Sequence, residues 1–415
     1  MEIKFGLVSC DSHGQLDRDA FTSRMSKAKW GDRIPQVVTI TTERGETVDR
    51  WSINGKVQGT GPFGGGVVNC PAAMGDPSRR THPRRWEEVP KKVYDPAERL
   101  KALDEDGVDV EVLYPNNPVS NFSFPGDPEF ELDCIRAYND AIADYRRVSD
   151  RYVPIALIPY CSPIETIVVE VTDAVKKGAG GIVMLAEPSL NIPGVPPTND
   201  PFWEPLWAAC QDLDIPISWH GSAGLAGQLA VPHWDGYTRA QAHTSSTSRL
   251  CATPAQLIPN LLFSGRLERY PRLKWVCAET GMGWINYVLE SCDHEWERRQ
   301  LWREGFETRP SEVFRRQIYV DFWFERAGIE VRDRIGLDNI MWESDYPHVT
   351  STYPESWEWV ERVLDGVPED QRRKMLYQNA MQLYKLQPSA VSDQLSAEVE
   401  RSAPEGSRLV VEADS

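Results

Sequence analysis

The chain of 415 residues contains no apolar run of the roughly 18 residues that a membrane-spanning helix needs. Its start, MEIKFGLVSC, lacks the basic stretch and long apolar core of a secretory leader. A cytoplasmic location with no membrane partner is the resulting expectation. No two of the eight cysteines are spaced CxxC, which argues against a zinc ribbon or a dithiol redox motif. In a reducing compartment they read as mostly buried thiols and not as a disulfide framework. Basic residues are in deficit, 45 Lys and Arg against 62 Asp and Glu, for a formal net charge of -17. That balance argues against a nucleic-acid partner, because a phosphate backbone needs a basic face. It does not exclude an anionic small molecule, since a metal or a few arginines reverse the sign inside a pocket. Internal repeats are missing. So is a glycine-rich dinucleotide fingerprint after the first apolar run, which removes the usual reason to read an open nucleotide-binding sheet.

What is present is a rhythm. Short apolar runs rich in β-branched residues occur at Phe5–Cys10, Val108–Tyr114, Val153–Ile158, Gly181–Leu185, Ile215–Trp219, Leu273–Ala278, Ile318–Asp321 and Asn339–Trp342. Helical patterns lie between them, at Pro128–Ser149, Ile164–Lys177, Phe202–Leu213 and Gly283–Trp302. Strand–helix alternation predicts parallel βα units, and eight such units predict closure into a (β/α)8 TIM barrel of α/β class. Residues 15–95 break the rhythm with turn-rich segments such as GTGPFGGG and DPSRRTHPRRW. They read as a long insertion after strand one, with a small β-hairpin around Val37–Val57, over the barrel mouth. The barrel domain is expected to occupy residues 1–386. Residues 387–415 read as a polar tail, either an arm on a partner subunit or a disordered end.

Four strand ends carry residues able to bind a cation. Strand one ends in Asp11-Ser12-His13, and residues two apart on a strand point the same way. Strand five ends in His220, strand six runs into Glu279, and strand eight runs into Asp345, three residues before His348. In a barrel these ends meet on one face. Each residue also has a structural reading. His220 reads as a core histidine, Asp345 as a turn or cap residue, and Glu279 as a cap for the helix near Gly283 or a partner for an Arg. Their joint occurrence favours a metal site. A mixed His and carboxylate set suits a divalent transition metal, Zn ahead of Mn or Fe, more than Mg or Ca. His348, near the mouth, is a candidate for a substrate-side hydrogen bond, with a surface-loop histidine as the alternative. His294 reads as structural. His82, His233 and His243 fall in expected loops, the last with a possible pocket role. The run RRTHPRRW (79–86) reads as a solvated or subunit-facing charge cluster, or as a contact for an anionic ligand. Trp30, Trp51, Phe63, Trp86, Phe122, Phe124, Trp219, Trp234 and Trp323 suggest a roomy apolar pocket, with core or interface packing as the alternative.

The segments VSCDSH (8–13), YDPAERLKALDEDGVDVEVLYPN (94–116), AYNDAIADY (137–145), IPISWHGSAG (215–224), LERYPRLKWVCAETGMGWINYVLE (267–290) and LDNIMWESDYPH (337–348) resemble the amidohydrolase superfamily. The resemblance is to its amidohydrolase-related branch, which includes aminocarboxymuconate-semialdehyde decarboxylase and the resorcylate-type decarboxylases. It runs from Val8 to about Leu386. It implies that Asp11 and His13 are the strand-one metal pair and that His220 is the strand-five ligand. It also implies that Asp345 binds the metal and handles the catalytic proton. Glu279 stands where many relatives carry a second histidine, and becomes a fifth candidate ligand, for one or two ions. Strand four ends in Leu185-Ala186-Glu187, so the carbamylated lysine of the binuclear relatives has no counterpart. The expected reaction is hydrolysis of an amide, ester or thioester of a small cyclic or hydrophobic substrate. Asp345 would act as base and then acid, with His348 beside it. Non-oxidative decarboxylation of an aromatic or unsaturated acid is the alternative, and a metal-free binding protein is a third reading. The resemblance also implies a homodimer.

Overall fold

A computed structural model describes residues 3–42, 45–59, 66–70, 82–119, 122–221 and 234–387. The strands are β1 (Val8–Gly14), β2 (Gln36–Thr41), β3 (Thr47–Ile53), β4 (Lys56–Val57), β5 (Val110–Pro115), β6 (Tyr152–Ala156), β7 (Gly181–Met184), β8 (Ile217–His220), β9 (Trp275–Ala278), β10 (Ile318–Phe322) and β11 (Ile340–Trp342). All but β2–β4 form one closed parallel barrel, with β1 between β11 and β5. The eight predicted runs are these eight strands. They are legible because a parallel barrel buries both faces of every strand, which selects continuous apolar runs over alternation. Every barrel strand is buried along its whole length.

The helices start where the chain supplies caps. Asp95 accepts from the amides of Ala97 and Glu98 at the head of helix Pro96–Asp106, and Asp127 accepts from Phe130 at the head of Pro128–Val148. Each is followed by proline at the first helical position, where a missing N–H costs nothing. Gly107 ends the first of these helices at φ +70°, and a Cβ there would stand 2.6 Å from Trp357 Nε1. No helix among the described residues is long and apolar enough to cross a membrane.

The insertion contains the expected hairpin, with β2 and β3 antiparallel and β4 paired to β3. Asp49 on β3 accepts from the Trp86 amide, the Arg85 guanidinium and the Thr39 hydroxyl. Arg84 pairs with Glu46. The described part of the arginine-rich run is therefore spent on holding the insertion together. Lys29 and the Trp30 indole both donate to Asp133, which ties the insertion to helix Pro128–Val148. Trp51 and Ile53 border a cavity of about 620 Å³ together with Asn117, Cys161 and Asn191, which follow β5, β6 and β7. The C-terminal tail lies outside the described residues apart from Gln387.

Candidate metal centre

The barrel brings Asp11, His13, His220, Glu279 and Asp345 to one end, and the backbone there is bent to aim them. The β1–β5 register shifts between Ser9 and Ser12, an irregularity that re-aims side chains at a strand end. Beyond the end of β11 the pairing with β1 continues irregularly. The Asp345 amide donates to the Asp11 carbonyl at 3.0 Å, and the His13 amide donates to the Tyr346 carbonyl at 2.6 Å. Beneath them the hydroxyls of Ser9, Ser12 and Ser344 lie within 2.9–3.1 Å of one another. Glu279 and Asp345 hold left-handed backbone, at φ +54° and +59°. For residues other than glycine this costs about 1–3 kcal/mol each and persists only where the surroundings impose it. The Glu279 amide is fixed by a bond to Glu343 Oε2 at 3.1 Å.

The side chains converge. His220 Nε2 lies 3.0 Å from Asp11 Oδ2, and His220 Nδ1 lies 3.2 Å from Glu279 Oε2. His13 Nε2 is 3.3 Å from Asp345 Oδ1 and 3.7 Å from Asp11 Oδ1. His348 Nδ1 is 2.7 Å from Asp345 Oδ1, and its ring stacks on that of His13 at 3.8 Å. Asp345 Oδ2 accepts from the Thr350 hydroxyl at 2.6 Å. Two overlapping sets, Asp11–His13–His220–Glu279 and His13–Glu279–Asp345–His348, each offer four ligand atoms within 4.8 Å of one another.

This donor set fits a divalent cation. His13 Nδ1 lies 2.8 Å from the Pro115 carbonyl, which only accepts, so Nδ1 carries the hydrogen and Nε2 turns a lone pair to the cluster. Fixing the far nitrogen in this way is what orients a metal-binding imidazole. Both oxygens of Asp11 are buried and accept no well-formed hydrogen bond, close as the neighbouring imidazoles are. A buried carboxylate left so is costly unless a cation shares its charge.

A model of the amidohydrolase family matches residues 77–386. The chain belongs to that family. Among solved structures, an amidohydrolase from Mycobacterium avium subsp. paratuberculosis K-10 superposes with a TM-score of 0.67 at 19% identity, over 91% of this chain and 98% of that one. Metarhizium anisopliae IDCase, in its apo form, gives 0.64 at 17% identity, over 92% and 97%. A dihydroxybenzoic acid decarboxylase from Polaromonas sp. JS666, solved with bound manganese and the inhibitor 2-nitroresorcinol, gives 0.56 at 21% identity, over 73% and 90%. No protein of curated function matches.

The electrostatics of this amidohydrolase's site follow from crowding carboxylates below the barrel mouth. Burial pushes the carboxyl groups of Asp11 and Glu279 well above their ordinary range, and neighbouring Asp345 adds to it. Asp321 on β10 and Glu343 after β11, both fully buried, are raised by burial and by negative neighbours. Asp345 goes the other way. Burial opposes its ionisation, but His348 and His13 beside it more than offset that and hold the carboxyl well below the usual range. Burial lowers His13 too, and takes His220 down to about 4, so both imidazoles are neutral at pH 7. Burial and mutual repulsion in the metal-free site therefore oppose negative charge on Asp11 and Glu279. A cation binds the ionised carboxylates and neutral imidazoles, so its affinity is expected to rise with pH and its binding to release protons. Titrating Mn²⁺ into chelator-treated protein in weak buffer is expected to acidify the solution. Uptake with no proton release would contradict this charge state.

Sequence reasoning named the residues that the fold gathers here but left their alternatives open. Glu279 caps no helix: the next one starts at Ile285 with no side-chain cap, and Glu279 faces His220 instead. His348 is no surface histidine, being packed on His13. His294 is exposed on helix Ile285–Arg299. His82 lies 3.2 Å from the Cys70 carbonyl. His243 belongs to helix Arg239–Thr247, which a Thr238–Gln241 capping box starts, and not to a loop. His233 and Phe63 lie outside the described residues. Missed were Asp321, Glu343 and Thr350. The signal for the first two was a lone acid in an apolar run, YVDF and MWES.

A second cavity, about 610 Å³, opens beside the cluster between the loops after β8, β9, β10 and β11. It reaches Glu279 and Thr350, and its wall is largely apolar, with Met282, Trp284, Trp323 and Phe324 among its members. Of the aromatics singled out in the sequence, Trp323 is here and Trp51 and Phe124 border the other cavity. Trp30, Trp86 and Trp219 are core. Phe122 packs edge-on against His220, and Trp234 is exposed.

Proposed function

We propose that this amidohydrolase is a metal-dependent carboxy-lyase that removes CO2, without oxidation, from an aromatic or unsaturated carboxylic acid. The observation that carries the reading is an aromatic-walled cavity that reaches the cluster through Glu279, which faces His220, and Thr350, which donates to Asp345. Asp11, His13, His220 and Asp345 would hold the cation, with Glu279 holding His220 by its Nδ1. A divalent ion there supplies the charge that binds and polarises a substrate carboxylate and a neighbouring oxygen. The chain does the rest. The apolar wall excludes water, so a carboxylate entering it loses solvation, which disfavours concentrated charge more than the dispersed charge left as CO2 departs. The electron pair left on carbon must then take a proton. Asp345, whose carboxyl is held well below the usual range, is the group placed to pass that proton on, with His348 beside it. Their 2.7 Å contact gives the proton a path to Asp345 and onward. His348 is partly exposed, and so can recover a proton from solvent.

The Polaromonas decarboxylase, with its manganese and its nitroresorcinol inhibitor, supports this reading. Hydrolysis uses the same ligands. It has less support here, because strand four offers no bridging lysine. Glu187, after β7, is engaged by the amides of Ser189 and Thr198. The test is a panel of aromatic carboxylic acids beside amide, ester and thioester panels. CO2 release is followed in the first and ¹⁸O incorporation from labelled water in the others. CO2 release that stops on chelation and returns with Mn²⁺ is expected. Metal-dependent ¹⁸O incorporation without CO2 release would replace the carboxy-lyase by a hydrolase.

A further inference from the structure

The cavity beside the cluster also carries information about which acids fit. Its charged members are Glu279, Glu325 and Glu355, all acidic, and no Lys or Arg borders it among the described residues. Glu325 is committed to the fold. It accepts from the amides of Met282 and Trp323, and burial raises its carboxyl pKa. Glu355 is exposed at the outer rim. The remaining wall is aromatic or aliphatic, broken by Ser and Thr hydroxyls. Trp323 and Phe324 meet edge to face, with ring centroids 4.5 Å apart. Such a wall accepts a flat apolar body against ring faces and edges. The neutral donors facing it are Ser and Thr hydroxyls and the Trp323 indole N–H, while every formal charge facing it is negative.

We propose that this cavity selects monoanionic substrates: one carboxylate, presented to the metal cluster, on a bulky planar apolar body, with a second carboxylate on that body rejected. The inference rests on the metal-centre reading above and sharpens the substrate class. Its physical basis is that a second carboxylate would be desolvated against aromatic rings and placed near Glu325 and Glu355, with no cation to offset it. The cavity is large enough for a fused two-ring body, since small-molecule sites commonly begin near 300 Å³.

The test reads binding, not turnover. Mn²⁺-loaded full-length protein is titrated calorimetrically with naphthalene-1-carboxylate and with naphthalene-1,4-dicarboxylate, which share one apolar body. The monoacid is expected to bind about ten-fold or more tightly than the diacid, since like-charge juxtaposition is penalised strongly at a desolvated site. Two surface variants locate the effect. Glu355→Arg should improve the diacid by more than the monoacid and so narrow the gap. Phe324→Ala, at a ring 52% exposed and so dispensable for folding, should weaken both acids about five-fold. Equal affinities, a diacid that binds better, or a gap indifferent to Glu355→Arg would each overturn the proposal. Failure of the carboxy-lyase reading looks different. The monoacid preference would persist, and no acid in the panel would yield CO2.

Discussion

Asp345→Asn is expected to lower kcat/KM by about 100- to 10,000-fold, the range that a positioned acid–base group contributes. Asparagine keeps the shape of the side chain, and its oxygen still accepts from Thr350. What it loses is the charge that pairs with His348 and helps to fill the ligand set around His13. Metal content should fall as well, so the variant is assayed at saturating Mn²⁺ to separate the two losses. His348→Gln gives the complementary result. It leaves Asp11, His13, His220 and Asp345 in place, so metal should be retained while kcat falls and the pH profile changes. If Asp345→Asn retained activity within about ten-fold of the parent at full metal loading, Asp345 would not be the proton-handling group.

The readability of this site from sequence depended on what each residue's neighbours are. Asp11, His13 and His220 stand at the ends of strands that a parallel barrel forces to be apolar on both faces, so a polar residue there is conspicuous. Glu279 and Asp345 stand out less, because each lies in a loop where an acid is ordinary. What turns them inward is left-handed backbone at φ +54° and +59°, held by amide contacts to Glu343 and to β1. No local pattern announces that conformation in a residue other than glycine. Asp321 and Glu343 were passed over for a related reason. Their significance lies in being buried beside other carboxylates, which only the closed barrel creates. The aromatics show the limit of composition. Trp86 and Trp323 look alike in sequence, yet one packs between Trp51 and Tyr94 and the other walls the cavity.

Arg99 is the residue whose importance the sequence hides best, and its replacement by Met is expected to cost about 3–5 kcal/mol of folding stability. In PAERLKALDED it reads as one more charge on a surface helix. In the fold it is fully buried, with Nε 2.7 Å and Nη2 3.1 Å from the two Glu111 oxygens. Burial alone would favour a neutral guanidine, but Glu111 more than offsets that and keeps it charged. Its remaining hydrogens reach the carbonyls of His13 at 2.9 Å and Tyr346 at 3.3 Å, and it lies 4.5 Å over the Tyr346 ring. One side chain thus grips the backbone of His13 on β1 and of the residue after Asp345 beyond β11. Removing it strands the buried Glu111 carboxylate and frees both ends of the ligand set. Urea melts of the chelated protein should show the stability loss. Dialysis against Mn²⁺ should show affinity weakened by about 10- to 100-fold, as when the support of a ligand is lost. The double variant Arg99→Met with Glu111→Leu separates the two effects. Stability should largely return, because no unpaired charge remains buried, while metal affinity stays low, because the His13 and Tyr346 carbonyls are still unheld. Recovery of both together would reduce Arg99 to a folding contact. Recovery of stability alone would make it the residue through which the barrel wall positions its metal ligands.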